Sequence, residues 1–474
     1  MRKSIINPSF ALIIRGKTIE MKPGYLQRLL LSFVLLGTFQ LCAQEVEYLA
    51  AEEESPKSLE DLRSPIAEMI DQDQGILLER GLILPKIQKR YPKMPNFIQD
   101  TRLHLNLRTY YFDRDQGNGT ENEALAQGAA IDLKTGRLFD SLSIGTTVYH
   151  SEKIYGPEGR DGTGLLQASQ KSYTSLGQAY LQAEYRRLTG KFYRQEFSMP
   201  FLNRNDARMS PNSFQAYSLF YQLFDSLEMV AAHTTHMKTR TSTNFIPMSE
   251  AAGATGSNEG MTTFGARYRF NDEFSLGGGN HHAWDIMNIL YMQAEANENF
   301  TENLTMRTSL QFTDQRDAGR SLVGRFETQS YGAKVALDYK GLITTLGGTY
   351  TSDKNGIRSP FGGHANYASL MLEDFDRAGE EVLFAGVSYH FDHIGIPGFS
   401  AFARYAYGNT PESGSAASPD QQEFDVTLDY RFPRGLWKHL WIRMRGAWTS
   451  QDDFLGSRSR NNYRLILNYS IPLI

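Results

Sequence analysis

Two stretches near the C-terminus, WIRMRGAWTS (residues 441–450) and NYRLILNYSI (residues 462–471), alternate apolar and polar side chains residue by residue. Ile442 and Met444 share one face of the first stretch, and Arg443 and Arg445 lie on the other. A period of two indicates a β-strand with one apolar face. That face suits either the interior of a soluble sandwich or the lipid around a membrane barrel. In a barrel, the arginines on the opposite face line a watery lumen.

The composition excludes one kind of membrane protein. The chain has 474 residues, is 41% hydrophobic and has a mean hydropathy of −0.43. After the N-terminal region no stretch approaches the roughly 20 consecutive apolar residues of a membrane helix. A helical membrane protein is therefore excluded, whereas a barrel is not, because only alternate residues of its strands meet lipid.

The N-terminus has the features of a secretory signal. The apolar run 29–36 follows Lys22 and Arg28 and precedes Cys42-Ala43, so we expect a signal peptide over residues 1–43, with Met21 as a possible true start. Its removal takes away six basic residues, one acidic residue and the single cysteine, and the formal net charge goes from −4 to −9. An acidic mature chain is a poor candidate for binding nucleic acid.

Two regions follow the signal. Residues 44–100 open with a charged stretch and end with prolines, which predicts a partly disordered periplasmic extension with a short helix near 59–70. Residues 101–474 carry a strand-and-turn rhythm. Eighteen strands are predicted, at 102–113, 123–134, 140–150, 173–186, 189–195, 212–222, 225–235, 262–270, 273–283, 287–298, 303–314, 328–340, 342–351, 381–390, 398–408, 422–432, 437–450 and 461–471.

The connections between these strands alternate in length. Long polar links such as 150–173, 235–262 and 351–381 alternate with tight ones, and only the link near Trp284 breaks the rule by being short. This alternation is typical of an all-β, transmembrane up-and-down antiparallel β-barrel with short periplasmic turns and long external loops. The predicted location is the outer membrane.

Aromatic residues near predicted strand ends support a membrane setting. They include Tyr110-Tyr111-Phe112, Phe192-Tyr193, Tyr405, Tyr407, Trp437, Trp441 and Tyr469. Rings with one apolar and one polar edge are favoured where lipid headgroups meet hydrocarbon. We therefore expect these residues at the membrane interfaces.

If the apolar face meets lipid, the other face of each strand lines the lumen. On that parity lies a set that we call the basic ladder: Arg108, Arg431, Arg443, Arg445 and Arg464. The last and first strands must pair to close the barrel, which brings these arginines onto one wall. A cationic wall concentrates anions, and guanidinium groups bind carboxylates with two hydrogen bonds. The alternative is that acids such as Asp425 and Asp429 pair with the arginines, which then only fill the lumen.

Two loops are candidates for narrowing the pore. The segment PFLNRNDARMSP (residues 200–211) lies between prolines, and its Arg204, Asp206 and Arg208 would form a constriction with opposed charges if it folds inward. The alternative for this segment is a solvated surface loop. The long, charged segment 351–381 is the second candidate.

Several segments resemble the OprD family of outer-membrane porins. They are LRTYYFDRD (107–115), DGTGLLQ (161–167), NRNDARMSPNSF (203–214), IPGFSAFARYAYG (396–408) and the stretch 422–474. The resemblance implies a monomeric eighteen-stranded barrel that admits amino acids or small carboxylates, with inward loops and the basic ladder lining its pore. Two departures are a C-terminal Ile474 where many barrels end in Phe, and the long acidic extension.

Two other functions compete with a porin. An outer-membrane hydrolase of the phospholipase type needs a serine paired with a histidine, and no spacing here fixes such a pair. The pairs His233/His236 and His390/His393 suggest a metal site, but on a strand their i, i+3 spacing places them on opposite faces. An adhesin or purely structural barrel needs no basic ladder. We therefore predict a porin without cofactor or metal, whose partners are small anionic or zwitterionic solutes, lipopolysaccharide and the barrel-assembly machinery.

Overall fold

The computed structural model describes residues 11–14, 17–20, 95–434, 437–453 and 456–473. Residues 1–61 and 62–474 form two separate units, and the described part of the first is a hairpin that pairs Ala11–Ile14 with Lys17–Glu20. Apart from this hairpin and residues 95–100, the predicted signal peptide and extension, including the helix near 59–70, lie outside the described residues.

Eighteen antiparallel strands form a closed barrel. They are β1 (Arg102–Asp115), β2 (Glu121–Lys134), β3 (Leu142–Tyr155), β4 (Tyr173–Tyr185), β5 (Leu188–Gln195), β6 (Ser213–Phe224), β7 (Leu227–Lys238), β8 (Met261–Arg269), β9 (Phe274–Ala283), β10 (Met287–Thr301), β11 (Leu304–Asp317), β12 (Glu327–Tyr339), β13 (Leu342–Thr351), β14 (Glu381–His390), β15 (Phe399–Asn409), β16 (Gln421–Arg431), β17 (Leu440–Asp453) and β18 (Gly456–Pro472). The predicted all-β barrel of eighteen strands is confirmed.

The barrel closes between its last and first strands. β18 pairs with β1 from Asn461 opposite Asp115 to Pro472 opposite His104. Closure leaves no open edge between the last and first strands, so the wall is hydrogen-bonded around its whole circumference. The chain thereby meets the strict condition for crossing lipid with strands.

The remaining elements are short. They are the helices Asn96–Gln99 and Met248–Ala251, the 3-10 turns Ala168–Gln170 and Phe391–Ile394, and the two-residue strands Ser198–Met199, Leu202–Asn203 and Ile246–Pro247. None of the helices in the described residues is long and apolar enough to cross a membrane.

The strands alternate between an apolar outer face and a polar inner face. On β17 the outward side chains of Met444 and Trp448 are 52% and 41% exposed, whereas Arg443, next to Met444, is only 4% exposed. The same alternation continues on β18, where Leu465 is exposed and Arg464 is buried. The period of two read from the C-terminal stretches is therefore the alternation between barrel exterior and lumen.

Three of the aromatic residues predicted at the membrane interface lie in the lumen instead. Tyr110, Phe112 and Trp441 are almost fully buried. They share strand parity with Arg108 and Arg443, and parity decides the side of the wall on which a residue lies. Nearness to a strand end was therefore a misleading guide for these three residues. Trp448 and Tyr463, which have the outward parity, lie outside the barrel, and the Trp448 indole Nε1 donates to the Tyr463 hydroxyl at 3.1 Å.

The long loops 156–172, 196–212, 239–260 and 352–380 all leave from one end of the barrel, which we call the loop end, and the opposite end is the turn end. At the loop end the loop lengths depart from the prediction. Links 116–120 and 454–455 at the loop end are also short, so the link near Trp284 is not the only exception. Link 454–455 is short because β17 continues to Asp453 and β18 begins at Gly456.

Candidate functional site

The loop 196–212, which we call loop B, folds into the lumen. Its apolar residues Phe201 and Leu202 are buried among other luminal apolar side chains. The carboxylate of Asp206 accepts hydrogen bonds from Arg108 of the wall at 2.9 Å and from Arg204 of the same loop at 2.8 Å. Burying the loop's apolar side chains and pairing its carboxylate both favour the inward position.

The loop 352–380, which we call loop D, also folds inward. Tyr367 and Phe375 are buried in a cluster with strand residues of the wall. Glu423 accepts the backbone N–H groups of residues 372 and 373 at 2.8 and 2.7 Å, and Asp425 accepts that of Met371 at 2.9 Å. These two buried carboxylates thus hold the innermost part of loop D against β16.

Loops B and D meet each other across the lumen. The Asn203 side chain accepts the backbone N–H of Gly363 at 2.8 Å and donates to its carbonyl oxygen at 3.2 Å. The sequence left open which of the two loops narrows the pore. In the structure both loops fold into the lumen, and they are joined at this pair.

A third inward loop was not predicted. Loop A (residues 156–172) buries Leu165 and Leu166 against Phe112 of the wall. Its Thr163 carbonyl oxygen accepts a hydrogen bond from the Arg208 guanidinium of loop B at 3.0 Å. The available signal was the apolar pair Leu165-Leu166 inside a glycine-rich external loop, because exposed loops seldom carry two adjacent leucines.

Two arginines of the basic ladder face each other directly on neighbouring strands. Arg445 of β17 pairs in register with Arg464 of β18. Like charges directly opposite in a ladder are destabilising, and within the described residues neither arginine forms an ion pair with a carboxylate. Arg445 donates to the Thr427 hydroxyl at 3.2 Å, and Arg464 donates to the Asn462 side chain and to the Met371 carbonyl oxygen.

Other arginines gather around the same place. The guanidinium groups of Arg208, Arg464 and Arg114 lie 5.0, 5.3 and 5.5 Å from the centre of the Phe112 ring. A cation over an aromatic face gains electrostatic stabilisation from the ring. Phe112, which is fully buried, therefore collects three positive charges at one point of the wall.

Arg240, at the base of the loop 239–260, completes the group. Burial, and after it the like charge of Arg464, lowers the pKa of Arg240. Burial also lowers the pKa of Arg208 to about 10, and the charges of Arg240, Arg114 and Arg445 act in the same direction. We call Arg114, Arg208, Arg240, Arg445 and Arg464 the arginine cluster.

The arginine cluster is not compensated by ion pairs. Within the part of the chain that the structure describes, none of its five members forms an ion pair with a carboxylate, and their hydrogen bonds go to neutral oxygens. Four of them, all except Arg464, keep partial exposure to the lumen. Such an arrangement favours the binding of an anion, because an incoming anion would relieve the repulsion among the cations.

The rest of the predicted set lies in different surroundings. Arg443 is paired through two hydrogen bonds of 2.7 Å with Asp429. Arg431 lies at the turn end, with its guanidinium 5.0 Å from the centre of the Trp441 ring. Arg108 and Arg204 are bound to Asp206. Sequence parity therefore placed the ladder in the lumen but did not separate paired from unpaired arginines.

Two members of the cluster were missed. Arg114 follows Arg108 on the same parity of β1 and was within reach of the parity argument. Arg240 lies on a loop, where alternation gives no information.

A luminal cavity of about 270 Å³ lies beside Arg108 and Asp206 and is also lined by His104, Asp132 and Glu196.

The histidines of the described residues are dispersed over the wall and the loops. Adjacent His281 and His282 have opposite strand parity: His281 is buried in the lumen at 2.9 Å from the Thr263 hydroxyl, and His282 packs outside against Trp284. No group of three or more metal-ligating side chains occurs in the described residues.

Comparisons with known proteins agree on one family. The family model described as outer membrane porin, OprD family, matches residues 95–473. Porin D of Pseudomonas aeruginosa is 24% identical over 413 residues, which are 80% of this chain and 92% of that protein. The crystal structure of P. aeruginosa OccK9 (OpdG) superposes with a TM-score of 0.73 at 25% identity, covering 80% of this chain and all of that one. P. aeruginosa OpdK with vanillate gives a TM-score of 0.70 at 20% identity, covering 79% and 100%.

Proposed function

The chain belongs to the OprD family of outer membrane porins, and on that premise we propose that it passes small anionic or zwitterionic solutes, amino acids or small carboxylates, by way of the arginine cluster. One observation carries the proposal. Arg445 and Arg464 face each other in register, and neither forms an ion pair within the described residues, although the Asp425 carboxylate is close enough to attract both. A protein that only needed to fill its lumen would pair these charges, as it pairs Arg443 with Asp429.

The arrangement of charges in the lumen suggests the path that a carboxylate solute takes through the barrel. A carboxylate that enters from the loop end loses part of its hydration and exchanges it for guanidinium N–H groups. Arg208 and Arg240 reach it from the loops, and Arg445 and Arg464 from the wall. Several cations of similar strength let the anion move on without being trapped, which is a condition for conduction. The transport is passive, because nothing in the proposal needs an energy source.

The relatives support this class of solute. Vanillate, present in the OpdK structure, is a carboxylate. That relative shares 20% of its residues with this chain, so the comparison supports the class and not the particular compound. Family membership favours a porin over the phospholipase-type hydrolase and over the adhesin or structural barrel.

The experiment that tests the proposal measures charge selectivity. In a planar bilayer with a salt gradient, the wild-type channel should show a reversal potential that reports anion preference. Replacing Arg445→Gln together with Arg464→Gln should lower the anion-to-cation permeability ratio several-fold. Arg320→Gln is the matched control, because Arg320 is exposed and pairs with Asp285 and Glu259 instead of joining the arginine cluster. An unchanged ratio in the double variant contradicts the proposal.

We further infer the partners of the barrel exterior. The barrel closes within a single chain, which fits a monomer. Outward aromatic residues such as Trp448 and Tyr463 suit the boundary with the lipopolysaccharide leaflet. Insertion of such a barrel would require the barrel-assembly machinery.

A further inference from the structure

The arginine cluster holds more positive charge than one carboxylate can neutralise. Five guanidinium groups share this region of the lumen. Of the carboxylates that act on them, Glu423 and Asp425 already bind the backbone of loop D, Asp206 is paired with Arg108 and Arg204, and Asp374 faces His364. Asp206 is held by two arginines outside the cluster, so even if Glu423, Asp425 and Asp374 are all charged, the five arginines exceed them by two. A monoanion would leave part of that excess in place.

The cluster has two arms that come from different parts of the chain. The wall arm consists of Arg445 and Arg464, which are opposite each other on β17 and β18. The loop arm consists of Arg208 from loop B and Arg240 from the loop 239–260. Arg208 and Arg464 lie 5.0 and 5.3 Å from the centre of the same Phe112 ring, so the two arms come together there.

Each arm has guanidinium N–H donors that make no hydrogen bond to a described residue. Arg445 uses its Nε for Thr427, and neither of its terminal nitrogens donates a hydrogen bond to a described residue. The Arg240 side chain makes no hydrogen bond or ion pair within the described chain, although its carbonyl oxygen is bound by Tyr173 and Ser210. An anionic group therefore finds unused N–H donors on both arms.

We propose that the preferred solute is a small dianion with two separated anionic groups, such as a dicarboxylate, one group binding the wall arm while the other binds the loop arm. This inference rests on the proposed function and specifies the substrate class of the same site. The second carboxylate adds a charge-assisted hydrogen bond and cancels a further positive charge. A monocarboxylate of equal length reaches only one arm at a time.

The test compares solutes of matched size. Butyrate and succinate have four carbon atoms each and differ in the second carboxylate, and sulfate carries two charges on one centre. Each is added to a single wild-type channel that conducts chloride, and the concentration that halves the current is measured. Succinate should act at a concentration about tenfold lower than butyrate. Sulfate should act less strongly than succinate, because it cannot span both arms.

A variant isolates the loop arm. Arg240→Gln removes one of its charges without breaking a side-chain hydrogen bond seen in the described chain, so loops B and D should keep their positions. We expect the half-blocking concentration of succinate to rise several-fold more than that of butyrate, because only succinate needs both arms at the same time. Arg320→Gln should leave both values unchanged.

The outcomes separate the two proposals. If the wild-type channel prefers anions but succinate and butyrate act equally, the dianion proposal is wrong and the proposed function stands. If sulfate matches succinate, total charge decides and the two-arm binding is wrong. If the wild-type channel shows no preference for anions, the proposed function itself fails.

Discussion

Two arginines, two residues apart on one face of β17, show that residue type and parity do not determine a residue's role. Arg443 faces Asp429 across the ladder and forms two 2.7 Å hydrogen bonds with it. Arg445 faces Thr427 and has no carboxylate partner within the described chain. The sequence placed both in the lumen, but which of them is paired depends on the register between β16 and β17.

This difference predicts different effects of substitution. Arg443→Gln leaves the Asp429 carboxylate buried without its cation, and we expect the free energy of unfolding to fall by about 3 kcal/mol. Adding Asp429→Asn should restore much of that loss, because removing both partners of a buried pair is often close to neutral. Urea unfolding in lipid vesicles measures the effect. An equally large loss in the double variant would contradict the explanation.

The same substitutions also test which of these arginines contributes to the anion-to-cation selectivity of the channel. The double change Arg443→Gln and Asp429→Asn removes one positive and one negative charge, so the anion-to-cation permeability ratio should stay near the wild-type value. Arg445→Gln removes a positive charge only, and the ratio should fall. Reversal potentials measured under one salt gradient compare the two. The expectation is wrong if the neutral double variant loses more selectivity than Arg445→Gln.

At the scale of elements, the constriction is made by loops that hold each other. Asn203 of loop B and Gly363 of loop D are 160 residues apart and form two hydrogen bonds. The sequence named both loops as candidates from their charges and prolines. It could not show their contact, because that contact exists only once the eight strands between the two loops, β6 to β13, bring them to one level of the lumen.

Gly362 is the point at which this contact can be disturbed. A Cβ atom there would lie 2.7 Å from the Asn203 Oδ1 and 2.8 Å from its backbone nitrogen. Gly362→Ala should therefore push loops B and D apart and raise single-channel conductance. Gly277→Ala on β9 is the matched control, because its Cβ would meet nothing nearer than 3.5 Å. Equal conductance in the two variants would show that the contact does not set the pore width.

Loop D also contains a histidine that links its order to pH. Both ring nitrogens of His364 face carboxylates, Nδ1 that of Asp376 and Nε2 that of Asp374 at 3.3 Å. Burial disfavours the protonated ring, but the hydrogen bond and charge of Asp376, with the charge of Asp374, raise the pKa of His364 to about 9. The protonated ring then holds two segments of loop D together.

The sign of the pH effect follows from the raised pKa. The contribution of His364 to stability is fully present below its unfolded pKa of about 6.5 and is lost as the pH rises through 9. We expect loop D to stay ordered at neutral pH and the channel current to become noisier between pH 8 and about 10. His364→Gln should show the noise already at pH 7, and His233→Gln on the outer face should not. A pH profile of His364→Gln identical to that of the wild type would contradict this role.

At the scale of the whole molecule, the fold was predictable because its determinants are local and repeated. A period of two, tight turns and long polar links recur along the chain, and they gave all eighteen strands and the closure of β18 on β1. Strand ends were less accurate, and Trp441 was assigned to the lipid boundary because proximity to a strand end was given more weight than parity. The arginine cluster required the inward loops, whose positions depend on contacts between distant segments.

The outward face gives the last prediction. Leu310 lies in the middle of β11 and is 52% exposed on the side that meets lipid. An arginine at the midplane of a barrel's lipid face costs about 2–4 kcal/mol. Leu310→Arg should therefore lower the free energy of unfolding in lipid vesicles by about that amount, and Leu310→Ala should lower it less because it only reduces apolar contact. If Leu310→Arg were as stable as the wild type, this part of the wall would not face hydrocarbon. The same assignment of lipid and lumen faces places the arginine cluster in the pore, so that placement would be wrong as well.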